Sequence, residues 1–191
     1  MTLFSALRRA TWLSASLLLL AGCRDGSVMQ SDMDSNGATE AAPADALGRV
    51  EVRIRTSTDE QRRFWAELAV GEDAQTRGLT GRARLAHNAG MLFPFPYPKM
   101  ASFWMKDTPI ALDLLFIRPD GTIAAILEGK PNSLEPIFAN EPVSAVLEIN
   151  HGRSKALGFE VGDRVEWGDC RNASSAGGAW RADRFCPALS Q

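Results

Sequence analysis

The chain has 191 residues, 21 Lys and Arg against 23 Asp and Glu, a formal net charge of −2, and 45% hydrophobic and 23% charged residues. Such totals suit one domain of ordinary composition and exclude a collagen-like or wholly disordered chain. They imply no continuous basic surface and no nucleic-acid partner, and two histidines, His87 and His151, leave little for histidine-rich metal chemistry.

The N-terminus reads as an export signal. Arg8 and Arg9 form a positive segment, and residues 10–21 are almost wholly apolar around Leu17, Leu18, Leu19 and Leu20. That run is short for a membrane span, which needs about 20 apolar residues, and suits the hydrophobic stretch of a signal peptide. It ends in Leu20-Ala21-Gly22-Cys23, which resembles the lipobox of bacterial lipoproteins. The resemblance implies a signal peptide over residues 1–22, cleavage before Cys23, lipidation of Cys23 and a bilayer as partner. Arg24 stands where an aspartate would resemble an inner-membrane retention signal. The expected address is therefore the bacterial cell envelope, as a periplasm-facing outer-membrane lipoprotein. Residues 23–48 carry Asp25, Asp32, Asp34, Glu40 and Asp45 against Arg24 alone, among Ser, Asn, Gly, Ala and Pro. Such a stretch buries little apolar surface and reads as a flexible linker.

A β domain is expected over residues 49–168. Residues 49–55 alternate, with Val50, Val52 and Ile54 on one side, as a half-buried strand does. Residues 64–70 alternate likewise, and a hairpin between the two is plausible. Residues 71–78 suit a short polar helix, and residues 79–85 a turn or irregular segment. Gly90-Met91-Leu92-Phe93 reads as a brief buried strand, after which Pro94, Pro96 and Pro98 forbid regular interior sheet. Residues 101–106 resume an extended pattern, and residues 110–117 are apolar apart from Asp113. Pro119-Asp120-Gly121 signals a turn into a second hairpin arm over residues 122–128. Residues 143–149 form a further strand, residues 151–157 a short helix stopped by Gly158, and residues 164–167 a terminal strand. Many short strands with turns between them predict a mostly β fold, a compact antiparallel sandwich or barrel with short helices.

Several strings, taken in order, carry a family resemblance. They are Arg77-Gly78-Leu79, Gly90-Met91-Leu92-Phe93, Phe103-Trp104-Met105-Lys106-Asp107-Thr108, the stretch from Ile110 to Asp113, Pro119-Asp120-Gly121, Val146-Leu147-Glu148-Ile149-Asn150 and Gly162-Asp163-Arg164-Val165. Together they resemble DUF192, also called the UPF0127 family, over roughly residues 62–168. The resemblance implies a compact β sandwich or barrel with small helices and no characterised biochemical role. Leu79 stands where many relatives have methionine, a swap that keeps apolar volume.

The polar members of these strings are the candidate ligand-binding residues: Arg77, Trp104, Lys106, Asp107, Asp113, Glu148 and Asn150. Strand alternation puts Phe103 and Met105 on one face and Trp104 and Lys106 on the other. An aromatic plane beside a cation suits a carboxylated or sugar-like ligand. Asp113 and Glu148 each interrupt an apolar run, where a carboxylate must be exposed, paired or functional. Asp107 also suits a turn cap, and Asp113 a structural pair with Arg77 or Lys106. As paired carboxylates, Asp113 and Glu148 are the weak catalytic candidates. A nucleophile elbow, a phosphate loop and a dinucleotide fingerprint are missing from the sequence. Asp107, Asp113, Glu148 and a histidine make an irregular ligand set, so neither a metal site nor a cofactor is expected.

Residues 169–191 form a C-terminal tail containing Cys170 and Cys186, which export to an oxidising compartment would join as a disulfide. Trp180 and Phe185 would then lay the tail against the β core. The combined expectation is an envelope lipoprotein domain that binds a small envelope ligand or a protein partner. The alternatives are a hydrolase acting on envelope material through paired carboxylates, and a structural or assembly module.

Overall fold

The computed structural model describes residues 48–170 and 180–187. The expected signal segment, Cys23, the expected linker up to residue 47 and residues 171–179 and 188–191 of the tail lie outside the described residues. Among the described residues no helix is long and apolar enough to cross a membrane.

The fold is mostly β. In chain order the elements are β1 (Arg49–Arg55), β2 (Gln61–Leu68), α1 (Glu72–Arg77), β3 (Ala89–Lys99), β4 (Ser102–Phe103), β5 (Leu112–Ile117), β6 (Ile123–Gly129), β7 (Ile137–Phe138), β8 (Val143–Asn150), α2 (Arg153–Ala156) and β9 (Arg164–Trp167). Seven strands form one sheet in the order β6-β5-β8-β3-β2-β1-β9, and β4 and β7 form a separate two-stranded sheet. The β1–β2 hairpin pairs Arg49 with Glu67 through Arg55 with Gln61. Every pairing is antiparallel except β2 with β3, which run parallel from Trp65 opposite Ala89 to Leu68 opposite Leu92. Parallel neighbours need a crossover, and the crossover here carries α1.

The two edges of the large sheet meet at one corner. Thr122, just before β6, bridges Arg164 of β9, and the Val165 N–H donates to the Gly121 carbonyl at 2.7 Å. The sheet is not closed into a barrel; it bends over itself like a sandwich. Between its wings lies a first core containing Val52, Ile54, Phe64, Leu92, Leu115, Leu147, Val165 and Trp167. The opposite face of β3, β5 and β8 carries a second core, with Leu79, Met91, Phe93, Met105, Leu114, Phe116 and Val146. The central strands are therefore buried on both faces.

The brief strand expected over residues 90–93 is longer than expected, although the prolines stay out of regular interior sheet. β3 continues through Pro94, Pro96 and Pro98 to Lys99, because beyond Leu92 it has no β2 partner. Its pairing with β8 shifts register between Pro94 and Lys99. A proline lacks only its N–H, and an unpaired edge has no use for one. The extended pattern expected over residues 101–106 shortens to β4, which pairs with the unforeseen β7 through Ser102 opposite Phe138 and Phe103 opposite Ile137. Lys106 and Asp107 instead form a turn, with Asp107 at φ 54°.

In the tail, Cys170 and Cys186 are joined as a disulfide with a Cα separation of 5.5 Å. Phe185 stacks on Trp167 at 4.4 Å between ring centroids, and the Trp167 indole N–H donates to the Ala182 carbonyl at 3.0 Å. Trp180 does not share this docking; it is exposed.

Candidate functional site

A cavity of about 430 Å³ opens over the second core. Three pieces of chain shape it. The short helix α1 lies across β3, pinned where the Gln75 side-chain amide donates to the carbonyls of Ala69 at 3.3 Å and Pro94 at 3.2 Å. Gly78, at φ 47°, ends the helix and lies close under Phe93, where a Cβ would sit 3.4 Å from the ring. The helix thus presents Glu72 and Arg77 to the opening, while Lys99 and Met100 come from the proline-rich end of β3, and Ser102, Phe103 and Trp104 from β4 and the turn after it. Phe103 packs edge-on against Phe93 at 5.0 Å and against Phe116 at 6.1 Å, which fixes the aromatic wall.

The cavity is polarised from outside to inside. Arg77 and Lys99 are exposed; the Lys99 Nζ lies 4.1 Å from the centre of the Phe95 ring. Glu148 is at the other extreme, 4% exposed, yet it lines the same cavity. On β8 it stands opposite Met91 of β3 and Leu114 of β5, so its nearest cross-strand side chains are apolar. Burial pushes its carboxyl pKa up to about 8, and among the described residues no hydrogen bond or cation offsets that effect. A carboxylic acid held neutral near pH 7 offers one O–H donor and one carbonyl acceptor.

Of the residues singled out from the sequence, the cavity gathers Arg77, Trp104 and Glu148. Lys106 stays close by, with its Nζ 5.8 Å from the Trp104 ring, and both side chains are exposed. Asp107 is a turn residue whose carbonyl accepts the Gly81 N–H at 2.7 Å. Asn150 is a tether, donating its side-chain amide to the carbonyls of Leu85 and Ala86, both at 3.1 Å.

Asp113 is not brought to Glu148. It shares a face of β5 with Leu115 and Ile117 of the first core, whereas Glu148 shares a face of β8 with Val146 of the second. The Asp113 carboxylate accepts the N–H groups of Gly152 at 3.1 Å and Ser154 at 2.9 Å and lies 3.0 Å from the His151 Nδ1. It thereby holds the first turn of α2 against the end of β5, a structural task. Neither Arg77 nor Lys106 pairs with it. A two-carboxylate hydrolytic centre is not assembled. Among the described residues no group of three or more His, Cys, Asp or Glu side chains could hold a metal.

Lys99, Met100, Ser102 and Glu72 escape sequence reasoning. The signal for the first two was the Pro94-Phe95-Pro96-Tyr97-Pro98-Lys99 run, which is too proline-rich for an interior strand yet too aromatic for an idle loop. A larger, shallower concavity of about 1,070 Å³ lies over β1 and β2. Its charges largely satisfy one another, as in Arg53 with Glu166 at 2.6 Å and with Glu51 at 3.0 Å.

Comparison with known proteins places this architecture. Among solved structures, a protein of Sinorhizobium meliloti 1021 described as a candidate transcription regulator is 40% identical, with a TM-score of 0.61, covering 62% of this chain and 93% of its own. A protein of unknown function from Novosphingobium aromaticivorans DSM 12444 is 38% identical, with a TM-score of 0.60, covering 62% of this chain and 85% of its own. No curated protein matches. The family model for DUF192, described as Uncharacterized ACR, COG1430, matches residues 53–167, the span that builds both cores and the cavity. The chain belongs to the DUF192 family.

Proposed function

We propose that this domain is a small-molecule-binding module of the bacterial cell envelope, tethered through lipid on Cys23 and taking an anionic ligand into the cavity between α1, β3 and β4. The observation that carries the binding reading is the unused polar capacity of one cavity. Glu148, 4% exposed, lines its interior with its carboxyl group open to the cavity and, among the described residues, without a protein hydrogen-bond partner, and Arg77 and Lys99 stand toward solvent without ion pairs among those residues. A volume of about 430 Å³ falls in the usual range for small-molecule sites, about 300–1,000 Å³.

The test uses the small-molecule fraction of a bacterial envelope extract, read by native mass spectrometry. A retained adduct should disappear in Ser102→Trp, which fills the cavity, and weaken in Arg77→Ala. An adduct indifferent to both variants, or no adduct, defeats the reading. Met100 and Trp104, each more than half exposed at the cavity's edge, favour a protein partner as the second reading.

The envelope address is supported by Leu20-Ala21-Gly22-Cys23 after an apolar run and by the Cys170–Cys186 bond, since disulfides persist in oxidising compartments. Intact-mass analysis of membrane-extracted protein should find cleavage before Cys23 plus lipid. A mature Cys23 with a free thiol refutes the anchor.

A further inference from the structure

The same cavity constrains the chemistry of its ligand at both ends. Its charged side chains are Glu72 and Arg77 from α1, Lys99 from β3 and Glu148 from β8, and no histidine lines it. Arg77 and Lys99 are the exposed cations, so the outer end of a ligand is best anionic, and a carboxylate matches the planar fork of a guanidinium. Phe93, Phe103 and Trp104 line the walls, and their rings suit the C–H face of a small saturated ring. Thr76, Thr80 and Ser102 contribute hydroxyls beside them.

The inner end is decided by Glu148. Met91 and Leu114 flank it across the sheet, and among the described residues no cation or hydrogen-bond donor stabilises its ionised form. An ammonium group entering here would force that carboxyl to ionise in an apolar wall, at a desolvation cost borne by both charges. A ligand hydroxyl, itself donor and acceptor, meets the neutral acid without creating a buried charge. Resting on the cavity being a ligand site, we propose that the ligand is a hydroxylated carboxylate of the sugar-acid class, its carboxylate held by Arg77 and Lys99 and a hydroxyl paired with the Glu148 carboxyl group.

The experiment is calorimetric titration of the purified full chain with three probes, D-galacturonate, D-galactose and D-galactosamine. Galacturonate should bind saturably at pH 7, galactose roughly tenfold more weakly for want of the charge, and galactosamine not at all. Galacturonate affinity should fall about tenfold from pH 7 to pH 9, as the neutral share of a carboxyl with pKa about 8 drops from about 0.9 to about 0.1. Glu148→Gln keeps a donor and an acceptor but cannot ionise, so its galacturonate affinity should not change between pH 7 and pH 9. Arg77→Ala, an exposed change with little bearing on folding, should lower galacturonate affinity about tenfold and so remove its advantage over galactose.

Preference for galactosamine, abolished by Glu148→Gln, overturns the sugar-acid class and leaves the ligand site standing. Galacturonate binding indifferent to Arg77→Ala also overturns it. If none of the probes binds, this class is wrong, and the extract experiment with Ser102→Trp reports separately whether the cavity binds anything.

Discussion

Glu148→Gln should change the pH dependence of folding in a direction opposite to that of most carboxylates. In the folded domain the Glu148 carboxyl has a pKa of about 8, against 4.5 for the same group in water. Between those values the native state holds a proton that the unfolded chain has released, so stability falls as pH rises. Below pH 4.5 both states are protonated and the effect vanishes; above pH 8 both are ionised and the loss is complete. At about 1.4 kcal/mol per pH unit, the full loss is about 5 kcal/mol, of which about 3 kcal/mol has accrued by pH 7. Glutamine cannot titrate, and every other group is common to the two proteins, so the difference between them isolates this one carboxyl. Whatever fixed cost or gain the amide brings is independent of pH. Urea unfolding of wild type and variant at pH 5, 6, 7, 8 and 9 measures it. The variant should gain on the wild type steadily up to pH 8 and then level off. Parallel stability profiles across that range would mean that Glu148 is already ionised in the folded protein, and the account of an unpartnered neutral acid would be wrong.

Asp113→Ala should cost roughly 2–3 kcal/mol in urea unfolding, because the N–H groups of Gly152 and Ser154 lose the carboxylate they donate to. Its effect on galacturonate affinity should be nil, since it lies on the other face of the sheet. Gly129→Ala would place a Cβ 2.6 Å from the Met105 Sδ and 2.9 Å from a Leu114 methyl. Overpacking of this kind costs about 1–3 kcal/mol, readable as a lower thermal midpoint, and a wild-type midpoint would show that Met105 moves aside freely. Cys186→Ser opens a loop of 16-residue separation and should cost about 3 kcal/mol. Hydrogen exchange should rise first at residues 180–187 and along β9, where the Trp167 N–H bonds the Phe185 carbonyl at 3.0 Å; uniform loss of protection would show that the tail supports the whole fold.

Much of the architecture was legible where the signal is local. The alternation of Val50, Val52 and Ile54 marked β1 because one side of that strand meets the first core and the other meets solvent. Gly71 and Gly78 bracketed α1, and Pro119-Asp120-Gly121 marked the turn before β6. The Cys170–Cys186 pairing followed from the two cysteines left once Cys23 is set aside for the lipobox-like string. Beyond Leu92 the prolines marked where interior sheet ends but not where β3 ends, since whether an N–H is needed depends on whether a neighbouring strand arrives. The tiny β4–β7 pair was invisible because two residues are too few for any periodicity.

By itself the sequence determined a mostly β domain, its main strands and turns, its disulfide and a short set of polar residues worth attention. These depend on neighbours along the chain or on the count of a rare residue type. Tertiary structure alone decided which of those polar residues meet. Asp113 and Glu148 look alike in sequence, each a single carboxylate within an apolar run. The strands that carry them, β5 and β8, are buried on both faces, so the period-two pattern that would have told one face from the other is erased. Cross-strand register then sends Asp113 to the start of α2 and Glu148 into the cavity. Arg77, Lys99 and Trp104 reach that cavity from three separate segments, through a helix laid across β3 and a strand pair of two residues each, contacts that no local spacing records.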